Sequence, residues 1–146
     1  MIAPDPAFEA RVRASFARQI FMATLGARLT SVEPGQVTIE LPFRPDLTQQ
    51  HGFLHAGVVT SLVDSACGYA ALSVMEPGAA VLSVEFKVNL LKPATGTLFR
   101  ATGKVIRAGR TLTVCSGELE ALGQPPALVA VMQATMMTVR DQPLAD

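Results

Sequence analysis

The hydrophobic and polar positions of the chain fall into segments with different periods. Between residues 5 and 20, apolar side chains recur every four residues among charged ones, at Phe8, Val12, Phe16 and Ile20. This period is typical of an amphipathic helix with one apolar stripe. We therefore predict an N-terminal helical segment over residues 1–23.

Residues 27–41 change to the period of a strand. From Val37 to Leu41 apolar and polar residues alternate, and Pro34-Gly35 marks a turn between two short predicted strands. Residues 43–55 have no period and contain two histidines, a proline and a glycine. A loop of this length is long enough to suggest a function.

Residues 56–75 are the most apolar stretch, and their length alone would fit a membrane-spanning helix. Asp64 lies near the middle, Thr60, Ser61 and Ser65 interrupt the run, and no Lys or Arg flanks it. These features contradict a membrane span. A helix that is apolar nearly all round is otherwise a core helix enclosed by protein.

Four more strand-like segments follow, at residues 81–91, 97–107, 110–120 and 127–139. A long buried helix with five or six antiparallel strands predicts an α+β fold in which a sheet wraps around the helix. In the first of these segments Leu82, Val84 and Phe86 alternate with Ser83 and Glu85, so Ser83 falls on the predicted polar side.

Composition narrows the possible functions. Twelve Lys or Arg balance twelve Asp or Glu, so the formal net charge is zero, which argues against nucleic acid as the main partner. So little charge on a small domain suggests apolar surface buried against another copy of the chain. Cys67 and Cys115 lack metal or redox spacing and are predicted to be buried hydrophobic residues. Charged residues precede any apolar stretch, so we expect no secretory signal and a cytoplasmic location.

Asp64 is the first candidate for chemistry. A carboxylate inside an apolar helix costs free energy unless it is paired, and its pKa tends to be raised. Thr60 and Gly68, one turn away on either side, are small or weakly polar and leave space beside it. One interpretation is a general base in a cleft. The other is a carboxylate that a neighbouring strand or a partner's backbone satisfies.

The second candidate is the junction of loop and helix, Leu54-His55-Ala56-Gly57. The first turn of a helix has unpaired N–H groups at the positive end of its dipole, which can stabilise an oxyanion. The alternative is an ordinary helix start with small residues for packing. His51 and His55 lie four residues apart, but no cysteine or carboxylate cluster completes a site, so we expect no metal.

Together, Gln49-x-x-Gly52-x-x-His55-Ala56-Gly57 and the following Asp64 resemble the PaaI-like branch of the hotdog-fold acyl-CoA thioesterases. Members of this family typically read N-x-x-G-x-x-H-G-G, then Asp or Glu two helical turns later, then a strand that opens with Ser-Val. Further similar segments follow in this chain: Leu82-Ser83-Val84-Glu85-Phe86, Lys92-Pro93-Ala94 and Gly109-Arg110. The resemblance covers residues 24–139 and implies a single hotdog domain, which we place over residues 24–141.

Two positions depart from the family pattern. Gln49 stands where asparagine is usual, so its amide lies one methylene further out. Ala56 replaces the first glycine after the histidine, which keeps the backbone N–H but narrows the approach to it.

The resemblance implies hydrolysis of an acyl-CoA thioester to a free acid and coenzyme A, without a metal or redox cofactor. Asp64 would be the general base or the nucleophile, the Ala56 N–H would polarise the thioester carbonyl, and His55 would brace the loop or the thioester. Gln49 and Ser83 would orient the water or the carboxylate. A homodimer or homotetramer is implied, with Gln49, His55 and Ala56 from one subunit and Asp64 and Ser83 from another.

The orientation of Ser83 and the contacts to coenzyme A need further structural features. Because Ser83 falls on the polar side of its strand, a bulge or the dimer contact would have to bring it to the site. Other expected contacts to substrate or coenzyme A come from small residues and arginines: Gly57, Thr60, Gly68, Arg107 and Arg110. The alternative for the two arginines is a solvated surface role, in which case Lys92 and Arg140 are the next cations for the phosphates.

Two other functions stay open at this point. A hotdog fold can hold an acyl chain as a non-catalytic binding module, and a fold alone does not decide function. A hydratase or dehydratase would pair a histidine with a carboxylate, for which His55 and Asp64 are the candidates.

Overall fold

The computed structural model of the protein describes residues 1–140 and 143–144. The helices and strands are α1 (Phe8–Arg18), α2 (Ile20–Leu25), β1 (Arg28–Glu33), β2 (Gln36–Pro42), α3 (Ala56–Leu72), β3 (Ala80–Leu90), β4 (Leu98–Ala108), β5 (Leu112–Ala121) and β6 (Ala127–Val139). The long helix ends at Leu72, three residues before the predicted position 75, and the last four strands lie within two residues of their predicted bounds. The predicted division into an N-terminal segment and a hotdog domain stays a prediction, and its last position, 141, lies outside the described residues.

The six strands form one antiparallel sheet in the order β1-β2-β4-β5-β6-β3, and α3 packs across one face of it. Most residues of α3 are buried. This arrangement confirms the predicted α+β fold, a sheet wrapped around a buried helix. Within the part of the chain that the structure describes, no helix has the length and hydrophobicity to cross a membrane.

Two glycines let α3 approach the sheet closely. Gly103 on β4 and Gly117 on β5 are cross-strand partners. A Cβ at Gly103 would lie 2.3 Å from the backbone carbonyl of Ala66, and one at Gly117 would lie 2.8 Å from the Cys67 sulfur. At Gly103 the neighbours are backbone atoms of the helix, so only glycine fits there, whereas at Gly117 they are the ends of side chains. Cys67 and Cys115 are free and buried here, which confirms their prediction as buried hydrophobic residues.

The N-terminal helical segment is interrupted at one residue. Gln19 has an extended backbone between α1 and α2, with φ −78° and ψ 95°. After this break the buried positions are Met22 and Leu25, whereas Ile20 is 81% exposed. The prediction that Ile20 continues the apolar stripe is therefore wrong, because the extended residue rotates the next turn relative to α1.

Arg11 on α1 closes the C-terminal end of α3. Its guanidinium donates to the carbonyl oxygens of Leu72 at 3.1 Å and of Met75 and Glu76 at 2.7 Å. It also lies 3.2 Å from the buried Asp5 carboxylate. The last carbonyls of a helix have no partner within it and form the negative end of its dipole, so a cation that donates to them stabilises the helix end. The N-terminal segment thereby holds α3 in place.

β3 is an edge strand that contains a bulge at Val84. Ser83 pairs with Met136 and Glu85 pairs with Thr135, so Val84 has no partner and the alternation of the strand shifts by one residue. Met136 is fully buried on the helix side of the sheet. Ser83 therefore faces α3 while Glu85 faces away, although both fall on one side in the sequence pattern.

Candidate active site

Asp64 and Ser83 form a hydrogen-bonded pair between α3 and β3. The Ser83 hydroxyl donates to Asp64 Oδ1 at 2.8 Å. Burial raises the pKa of the half-buried Asp64 carboxyl, and the hydrogen bond from Ser83 opposes part of that rise. Ser83 thus holds one carboxylate oxygen in place, and the carboxylate borders a pocket in which it can meet a ligand. This arrangement suits a general base or a nucleophile.

A small pocket of about 130 Å³ opens beside this carboxylate. Its lining is mostly polar and includes Gln19, Ser65, Tyr69 and Val81 in addition to the pair itself and Gly68. A Cβ placed on Gly68 would meet nothing within 4 Å, so this glycine leaves open space next to Asp64. Thr60, one turn before Asp64, is half-buried and is not among the residues that line the pocket.

The second candidate region is the junction between the loop and the start of α3, around His55. The His55 ring caps α3, because its Nδ1 accepts the Gly57 N–H at 2.8 Å. Gly57 permits this approach, since a Cβ there would lie 3.0 Å from the same nitrogen. The N–H of the exposed Ala56 has no hydrogen-bond partner in the described part of the chain. It is therefore a backbone donor at the positive end of the α3 dipole.

Gln49 lies in the same region with its amide oriented by the loop. Gln49 Oε1 accepts the backbone N–H of His51 at 2.5 Å and that of Phe53 at 3.4 Å. The Nε2 group is thereby left as a donor. Gln49 and Ala56 line a second, larger pocket of about 340 Å³, to which Lys92 also contributes.

The two groups of predicted site residues do not meet within one chain. Ala56 begins α3 and Asp64 lies eight residues further on, which corresponds to about 12 Å along the helix axis. Gln49 and Ala56 line the larger pocket, whereas Asp64 and Ser83 line the smaller one. One chain therefore holds a carboxylate with its orienting hydroxyl at one place and backbone and amide donors at another.

The predicted cations lie outside both pockets except for Lys92. A bulge at Ile106 places Arg107 opposite Val114, on the sheet face that points away from α3. Arg110 is exposed in the turn between β4 and β5. Its carbonyl oxygen accepts a hydrogen bond from Arg140 at 2.6 Å, and Arg140 also pairs with the Glu76 carboxylate.

Gln19 is the site residue that the sequence analysis missed. It lines the pocket beside Asp64 although it lies in the N-terminal segment. The available signal was a polar residue three positions before Met22, a helical spacing that places it near the buried face.

A sequence model of the thioesterase superfamily matches residues 51–126, which is more than half of the chain. The chain belongs to the thioesterase superfamily. The matched region contains His55, Ala56, Asp64 and Ser83, while Gln49 lies just before it. Membership of this superfamily supports the predicted enzyme class, a thioester hydrolase.

Solved structures and a curated relative agree with this assignment. A thioesterase family protein from Silicibacter pomeroyi is 52% identical, with a TM-score of 0.88 over 90% of this chain and 98% of that one. The PaaI protein from the phenylacetic acid degradation operon of E. coli is 21% identical and shares the fold, with a TM-score of 0.83 over 91% and 94% of the two chains. Human acyl-coenzyme A thioesterase 13 is 34% identical over 62% of this chain and 65% of its own length. The hotdog fold and the resemblance to PaaI-like thioesterases are thus confirmed.

Proposed function

We propose that this protein hydrolyses an acyl-CoA thioester to a free acid and coenzyme A. The observation that carries the proposal is the Asp64–Ser83 pair, a half-buried carboxylate with one oxygen held by a hydroxyl and a pocket beside it. An acyl-binding module gains nothing from such a carboxylate, because burying it costs free energy. The human relative named as an acyl-coenzyme A thioesterase supports the choice of substrate.

In the proposed reaction, Asp64 takes a proton from water as the water oxygen attacks the thioester carbonyl carbon. The new C–O bond moves an electron pair onto the carbonyl oxygen, where the Ala56 N–H donates a hydrogen bond. The C–S bond then breaks, and the proton held by Asp64 passes to the departing thiolate. If Asp64 Oδ2 attacks instead, the same bond breaks and water hydrolyses the resulting anhydride in a second step.

We infer that each complete site forms between two subunits. The edge strand β3 exposes Leu82, Val84, Phe86 and Leu90, each between 43% and 52% exposed. An edge with so much apolar surface is typically covered by another chain. The family resemblance implies that this contact brings Asp64 and Ser83 of one subunit to the Gln49 and Ala56 donors of the other, which one chain keeps about 12 Å apart along the helix axis.

The coenzyme A phosphates would be held by a few local cations, because a chain without net charge steers a polyanion weakly. Arg110 is exposed in a turn, and its guanidinium suits phosphate oxygens. Lys92 lines the larger pocket together with the two donor residues Gln49 and Ala56. Arg107 faces away from α3 and is the weakest of these candidates.

A panel of acyl-CoA thioesters with a thiol-reactive dye tests the function. We expect release of free thiol in step with free acid. Hydration of an enoyl-CoA without thiol release would instead indicate a hydratase, and binding without turnover would indicate a binding module. His55 Nδ1 accepts the Gly57 N–H, so a hydratase would have to pair the other ring nitrogen, Nε2, with the Asp64 carboxylate.

Mixed subunits test the shared site. Chains with Asp64→Asn and chains with both Gln49→Ala and His55→Ala should each be inactive alone. Equal mixing and re-association should restore about one quarter of wild-type activity, because half of the dimers are hybrids and each hybrid has one intact site. Light scattering that shows a fully active monomer would contradict the shared site.

A further inference from the structure

Gln19 has a buried side-chain oxygen beside the Asp64 pocket that lacks a partner among the described residues. Gln19 Oε1 is buried and makes no hydrogen bond with any residue that the structure describes. The same side chain lines the 130 Å³ pocket together with Asp64 and Ser83. The break between α1 and α2 directs it there, since Gln19 alone has an extended backbone at this point.

Packing does not require an amide at this position. A buried acceptor without a donor costs free energy, and methionine has nearly the same length and shape without that cost. Met22 and Leu25, the next buried positions along the chain, are both apolar. An unsatisfied polar group that borders a candidate site is therefore explained best by a donor that arrives with the ligand.

The geometry points to Gln19 as a positioning residue for the water that Asp64 activates, an inference that rests on the proposed hydrolysis. A water molecule has two protons to donate. Asp64 Oδ2 accepts one of them, because Oδ1 already holds the Ser83 hydroxyl. Gln19 Oε1 accepts the other. With both protons directed at the protein, the oxygen lone pair points toward the thioester carbon.

The pocket has room for this arrangement. Its volume of about 130 Å³ exceeds the roughly 30 Å³ that one water occupies in the liquid. The terminal amide torsion of glutamine is broad, so Oε1 can turn into the pocket without a change in the backbone. Gln19 thus acts through the orientation of the water, whereas Asp64 takes the proton.

Gln19→Met tests this inference in the full-length protein. We expect kcat to fall about tenfold, as for the loss of one hydrogen bond in the transition state, with KM within about twofold of wild type. The melting temperature should be no lower than that of wild type, because an unsatisfied acceptor is removed. A wild-type kcat, or a lower kcat accompanied by a lower melting temperature, would overturn the inference.

Two further variants sharpen the result. Gln19→Glu keeps an acceptor oxygen at the same position and should recover part of the kcat that Gln19→Met loses; no recovery would count against the positioning role. Gln133→Met makes the same exchange at an exposed glutamine on β6 and should keep wild-type kcat. Asp64→Asn is measured in parallel. If it retains wild-type turnover the proposed function fails, whereas an inactive Asp64→Asn beside a fully active Gln19→Met refutes only the inference about Gln19.

Discussion

Asp64→Asn is expected to lower kcat at least ~100-fold, the range typical for removal of a general base. Asparagine keeps the shape of the side chain and can still accept the Ser83 hydroxyl, but it cannot take a proton from water. KM should change little, because the amide fills the same space beside the pocket. Steady-state thiol release from purified protein measures both constants.

The same substitution should leave the fold at least as stable as wild type at neutral pH. Burial raises the pKa of Asp64 in the folded protein. Asp64 therefore keeps its proton to a higher pH in the folded state than in the unfolded state. The free energy of unfolding consequently falls as the pH rises from the ordinary aspartate pKa through the raised pKa of Asp64 in the folded protein. Asparagine never ionises and avoids this loss. Thermal melts at neutral and mildly acidic pH should show the difference between the two proteins shrinking as pH falls.

Glu9→Gln is the matched control for removal of a carboxylate. Glu9 is exposed on α1 and, among the described residues, pairs with Arg13 at the surface, so we expect wild-type kcat and a change in stability within about 0.5 kcal/mol. Turnover by Asp64→Asn within a few-fold of this control would exclude Asp64 as base or nucleophile.

Gly103→Ala, on β4, should strongly lower the free energy of unfolding. The added Cβ would lie 2.3 Å from the Ala66 carbonyl and 2.5 Å from the Cys67 nitrogen, and backbone atoms of a packed helix cannot move aside as a side-chain end can. We expect a loss of about 3 kcal/mol, the upper part of the range for overpacked cores. Urea denaturation followed by circular dichroism, at one fixed protein concentration, measures the change.

Gly68→Ala is the control for this prediction, since it makes the same exchange on α3 where no atom lies within 4 Å. An alanine inside a helix is more stable than a glycine by about 0.5–1 kcal/mol, so this variant should gain stability. Equal changes in stability for the two substitutions would show that the close approach of α3 to Gly103 does not require glycine at that position.

The local pattern predicts those elements whose side chains alternate regularly. Residues 127–139 match β6 in both bounds, because its apolar side chains line the core over the whole strand. The N-terminal stripe predicted Val12 as buried and is correct there. It fails at Ile20, because the break at Gln19 satisfies no local preference and depends on how α1 and α2 pack against the rest of the chain.

Ser83 shows the same limit within the candidate site. Simple alternation places it with Glu85 and Lys87 on the polar side of β3. The bulge at Val84 reverses this assignment and turns the hydroxyl toward Asp64. A bulge is set by the register between two strands that are far apart in sequence, so alternation within one strand contains no information about it.

The sequence by itself determined the order of helix and strands, the position of a carboxylate inside the buried helix, and the family. These features are local, since they depend on periodicity, on turn residues and on a short motif around Gln49 and His55. The tertiary structure alone decided which groups surround Asp64: Ser83 through a bulge, Gln19 through a helix break, and the depth of the helix through Gly103. Such contacts depend on strand register and on how closely two backbones approach, and both are properties of the packed chain rather than of any single segment.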